Sequence, residues 1–159
     1  MPISPFHLLL IDSAAHSVLR VDGLSGDLLA EQPLPPRLSP IGLTFCRQAS
    51  KVHLTFAADN GFGALYLLDL PSFKLERFPL SIPHPVQYAL SPDGKKAYLA
   101  DPSGALHLID LASESVTSLT DPPSEGGCVG LATDKETVYG VWEERDGGFT
   151  AAWDTSGQC

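Results

Sequence analysis

Four acidic residues recur along the chain, Asp12, Asp59, Asp101 and Glu143, each shortly after or at the end of an apolar run: His7 to Ile11, Val52 to Ala57, Ala97 to Ala100 and Val138 to Trp142. Carboxylates gathered from equivalent loops make a hard oxygen-ligand set, and calcium takes about six to eight such ligands. Asp12, Asp59, Asp101 and Glu143 are therefore the candidate metal residues. The competing expectation is local, because an Asp at a strand end bonds to backbone amides a few residues on and shapes a turn. A second series, Asp22, Asp69, Asp110 and Asp154, favours the turn reading more strongly, since a single site has no need of a copy in every unit.

Two loops depart from their surroundings. One is Ala58-Asp59-Asn60-Gly61-Phe62-Gly63, and the other is the charged and aromatic stretch Trp142-Glu143-Glu144-Arg145-Asp146-Gly147-Gly148. Specificity resides in loops that differ from an otherwise regular scaffold. Asp59, Asn60, Phe62, Trp142, Glu143, Glu144 and Arg145 are thus the candidate binding residues. No residue is assigned a catalytic role. Gly-x-Ser-x-Gly, phosphate-loop and His-Glu-x-x-His elements are missing, and Gly126-Gly127 lacks the strand-to-helix context of a phosphate cradle. The histidines His7, His16, His53, His84 and His107 show no ligand spacing, and His53 and His107 fall inside strand-like runs.

The elements that must position these residues repeat. The Asp residues of the second series are 47, 41 and 44 positions apart, and the runs starting at Ile41, Val86 and Val129 are 45 and 43 apart. Three features sharing one period mark a repeat architecture. Within each unit short apolar runs are bounded by turn residues, as in Ser91-Pro92-Asp93-Gly94 and Asp101-Pro102-Ser103-Gly104, and more polar runs follow at Asp27 to Gln32, Lys74 to Phe78 and Ser115 to Leu119. No stretch has a capped helical period. The expectation is an all-β β-propeller of about four four-stranded antiparallel blades, near 6–35, 40–81, 85–121 and 128–159. The end blades are incomplete, which gives 14 strands in groups of three, four, four and three.

Ser91 to Asp101 followed by Ala105 to Leu111 resembles the repeat of YVTN/surface-layer-like propellers, and His7 to Asp12 with Val18 to Asp22 and Ser25-Gly26 is a second copy. Trp153-Asp154-Thr155-Ser156-Gly157 is similar to the corresponding turn of WD-repeat and quinoprotein-like propellers. The resemblance implies a non-catalytic scaffold or binding module without a cofactor. It also leaves open a lactonase- or lyase-like enzyme with a cation, calcium being the candidate, at the central channel. By the same analogy the acids between second and third strands lie on one face near that channel. Family members have seven or so blades, so closure is expected either as a tight four-bladed ring or, preferred, as a homodimer completing a ring of about eight; the missing edge strands also allow the chain to be part of a longer or multi-subunit propeller.

Composition narrows the partners. The 159 residues carry a formal net charge of −9, which opposes phosphate-backbone binding, so nucleic acid is not an expected partner. Cys46, Cys128 and Cys159 have no zinc-knuckle spacing and are odd in number. Leu8 to Ile11 is too short for a membrane span or a signal-peptide core, so the sequence as it stands reads as cytoplasmic, as would a chain trimmed of a leader.

Overall fold

A computed structural model describes residues 6–46, 50–58, 62–119, 126–134, 137–144 and 147–154. Among them there is no helix. Strands β1 (His7–Asp12), β2 (Ser17–Asp22) and β3 (Leu28–Pro33) form the first sheet. β4 (Leu38–Cys46), β5 (Lys51–Ala58), β6 (Phe62–Asp69) and β7 (Lys74–Pro83) form the second. β8 (Gln87–Leu90), β9 (Lys96–Ala100), β10 (Leu106–Asp110) and β11 (Ser115–Ser118) form the third, and β12 (Gly127–Thr133), β13 (Thr137–Glu144) and β14 (Gly147–Asp154) the fourth. Every sheet is an antiparallel meander in chain order.

The hairpins follow from their aspartates. Asp12 pairs with Ser17, Asp69 with Lys74 and Asp110 with Ser115, leaving four residues to reverse the chain. In each loop the residue four positions after the Asp is left-handed: His16 (φ 55°), Phe73 (φ 53°) and Glu114 (φ 54°); after Asp22 the same place is filled by Gly26 (φ 78°). A non-glycine residue there costs about 1–2 kcal/mol, and the carboxylate bonds across the loop offset that cost. The Ser91-Pro92-Asp93-Gly94 turn works differently. Ser91 Oγ donates to Asp93 and accepts from the Lys96 amide, and Gly94 takes φ 68°.

The inner strands β4, β8 and β12 lie against one another in sequence, the radial arrangement of propeller blades. The apolar residues fall into three clusters, one for each junction between consecutive sheets. Val18 meets Val52, Leu54, Phe56 and Phe73 between sheets one and two. Leu65, Phe78 and Ile82 meet Ala97, Leu99 and Ile109 between two and three, and Tyr98, Ala100 and Leu106 meet Val138 and Trp142 between three and four. A polar bridge crosses each junction as well. Arg20 Nη1 donates to the Leu70 carbonyl at 2.9 Å with its guanidinium over the Phe73 ring, His53 Nδ1 and the Tyr88 hydroxyl are 2.8 Å apart, and Trp142 Nε1 donates to the Gly104 carbonyl at 2.9 Å.

Three details differ from expectation. The outer strand β7 continues past Phe78 to Pro83 across a bulge opposite Ala64 to Tyr66, and β4 begins at Leu38 rather than Ile41. Unit four has no loop beginning at Trp142: β13 and β14 stay paired from Thr137 with Asp154 through Glu144 with Gly147. Trp142 and Glu143 are therefore strand residues.

Candidate binding surfaces

Two of the acids after the second strands, Asp12 and Asp101, are engaged locally. Asp12 Oδ1 accepts from the Ala14 and Ala15 amides, both at 2.9 Å. Asp101 Oδ1 accepts from the Ser103 and Ala105 amides, while Oδ2 lies 2.9 Å from His107 Nε2. Partial burial works to raise the Asp101 pKa, but the bonds from Ser103 and His107 outweigh it and hold the carboxyl below its ordinary value. Glu143 projects from β13 to solvent. Among the described residues no group of three or more His, Cys, Asp or Glu is placed to hold a metal ion. Asp59 lies outside the described residues, as do Asn60 and Arg145; Glu144 is placed as the last residue of β13.

Of the second series, Asp22, Asp69 and Asp110 shape turns. Asp22 accepts from the Leu24 and Ser25 amides, Asp69 from the Ser72 amide, and Asp110 from the Ala112 and Ser113 amides. These bonds stabilise the charged form and lower each pKa: the Ser25 amide foremost for Asp22, the Ser72 hydroxyl for Asp69 and the Ser113 amide for Asp110. The Ser91 hydroxyl does the same for Asp93.

Phe62 and Asp101 are brought together. Both line a cleft of about 600 Å³ between sheets two and three, with Ile82, Pro83, His84 and Pro102. The walls are chiefly apolar, and Phe62 is 56% exposed at the start of β6. With the Asp101 oxygens already engaged, such a cleft suits an apolar group. Trp142, expected to face a ligand, is instead 1% exposed. Its ring lies parallel to Phe149, centroids 5.5 Å apart, and over Gly140, because residues two apart in a strand share a face and this face of β13 meets sheet three.

No family model matches the sequence, and no curated protein does either. Solved structures do match. One is Kuenenia stuttgartiensis hydrazine synthase, at 17% identity and a TM-score of 0.73, over 96% of this chain and 44% of that one. Another is dihydro-heme d1 dehydrogenase NirN in complex with DHE, at 19% identity and a TM-score of 0.61, over 93% of this chain and 31% of that one. Both are β-propeller-type proteins, and this chain has the propeller fold. At such identities the likeness extends to the fold alone. The chain spans less than half the length of either.

The residues that sequence reasoning did not name are those on the outer faces of the end sheets. Leu9 and Ile11 of β1 pack toward sheet two, so Leu8 and Leu10 point away from it, 45% and 46% exposed. Leu10 pairs with Leu19 and Leu8 with Val21, which extends that apolar face across β2. In sheet four, Val138 and Trp142 pack toward sheet three, and Tyr139 and Val141 point away, 46% and 43% exposed. Period-two alternation was the available signal: both strands have apolar residues on both faces, as strands covered on two sides do.

Proposed function

We propose that this chain is a non-catalytic propeller scaffold of the YVTN/surface-layer-like kind that binds protein, a second copy of itself included. The observation that carries the reading is the uncovered apolar surface on the end sheets, where interior junctions bury theirs. Exposed apolar patches of this kind mark association surfaces. Joining two such arcs buries both faces at once. The cleft beside Phe62 supports a further protein contact on the rim, and the net charge of −9 favours a partner bearing basic residues.

Light scattering coupled to size exclusion tests the self-association. A mass near twice the 16.9 kDa of one chain is the expected result. A mass of one chain that does not rise with concentration refutes it.

A further inference from the structure

We propose that two copies meet head to tail, the fourth sheet of each packing on the first sheet of the other, so that the end faces are the two halves of one more inter-sheet junction. This rests on the self-association reading and adds its geometry. β1, β5, β9 and β13 occupy equivalent places in the repeat, each pairing with the strand that follows it. In the third sheet β9 has a neighbour on both sides: Ala97 and Leu99 pack toward sheet two, Tyr98 and Ala100 toward sheet four, and all four are 0% exposed.

Counted in register from the residues opposite Asp22, Asp110 and Asp154, which are His7, Lys96 and Thr137, Leu8 and Leu10 of β1 stand where Ala97 and Leu99 stand, and Tyr139 and Val141 of β13 stand where Tyr98 and Ala100 stand. The side chains keep their apolar character at both ends, including a tyrosine at the same position. A position that is buried where a neighbouring sheet is present and nearly half exposed where none is present is a contact awaiting its other half. Sheet one requires a sheet presenting the Tyr139 and Val141 side. Sheet four requires one presenting the Leu8 and Leu10 side. Each chain carries both faces, so a second copy would bring the matching half to each, and the same junction would form twice about a two-fold axis. Packing Leu8 and Leu10 against their own counterparts would oppose two like faces, an arrangement that none of the three interior junctions uses.

Leu10→Asp and Val141→Asp test the geometry by light scattering and native mass spectrometry, alone and as an equimolar mixture. Each variant alone is expected at the mass of one chain, because each spoils both junctions. The mixture is expected to regain a two-chain species that contains one of each variant, since pairing them leaves one junction wholly native. A variant that keeps the wild-type two-chain mass by itself, or a mixture that stays at the mass of one chain, overturns head-to-tail packing. A wild-type chain found at single mass overturns instead the self-association on which it rests. Cooperative urea unfolding confirms that each variant is folded, and Leu10→Ser with Val141→Ser replaces any Asp variant that is not.

Discussion

Replacing Gly140 with Ala tests how the third and fourth sheets are locked. A Cβ built on Gly140 stands 2.1 Å from both Cη2 and Cζ3 of Trp142, well inside contact distance. The indole has little room to yield, being 1% exposed, stacked on Phe149 and tied by Nε1 to the Gly104 carbonyl. Overpacking costs about 1–3 kcal/mol, and displacing the ring also leaves the Gly104 carbonyl without its indole donor, about 1 kcal/mol more, so Gly140→Ala is expected to lose ~2–4 kcal/mol. Trp142→Ala alone is expected to lose ~3–5 kcal/mol. That truncation opens the space a methyl group needs, so adding Gly140→Ala to it costs almost nothing. The two changes then couple by the whole cost of Gly140→Ala, ~2–4 kcal/mol, in a double-mutant cycle. The assay is urea unfolding followed by far-ultraviolet circular dichroism at one protein concentration, which keeps any effect of the proposed association constant. Losses that add to within ~0.5 kcal/mol refute the packing of the ring over Gly140.

Four further outcomes are expected. Burial foremost, then the Lys51 charge, lowers the His53 pKa from 6.5 to about 4, so the unfolded chain binds the extra proton between those values. Stability is then complete above pH 6.5 and falls on the order of 3 kcal/mol toward pH 4; a His53→Phe variant with an undiminished slope in that window, read by urea titrations at several pH values, contradicts this. Asp22, Asp69, Asp93, Asp101 and Asp110 are all held below the ordinary 3.8, so their contribution is present above that value and disappears as pH drops beneath it through their folded values. Acid unfolding should therefore steepen below pH 3.8, and a stability level from pH 3.8 to 2 would refute it. Asp101→Ala removes the partner of the His107 imidazole and the Ala105 amide, and is expected to cost ~1–3 kcal/mol in urea unfolding. The melting temperature should be the same in calcium and in EDTA; a rise with calcium restores the reading of Asp12, Asp59, Asp101 and Glu143 as ligands.

The amino-acid sequence by itself determined the repeat. The four-residue hairpins are local events, an Asp bonding to the amide three residues on, and for Asp22 and Asp110 also to the one two residues on, so Asp22, Asp69 and Asp110 announce their turns wherever the chain goes. The short apolar runs between such turns made the antiparallel meanders and the incomplete end sheets legible too. What only the tertiary structure decided is which side chains are covered. Trp142 and Tyr139 are three residues apart in one strand, yet one is buried and the other nearly half exposed, because a sheet lies on only one side of β13. The same holds for Leu9 against Leu8, and for the distant pairings His53 with Tyr88 and Trp142 with Gly104. Alternation along a strand fixes that neighbours face opposite ways, but burial depends on whether another sheet stands there, and that is set by residues some forty positions away.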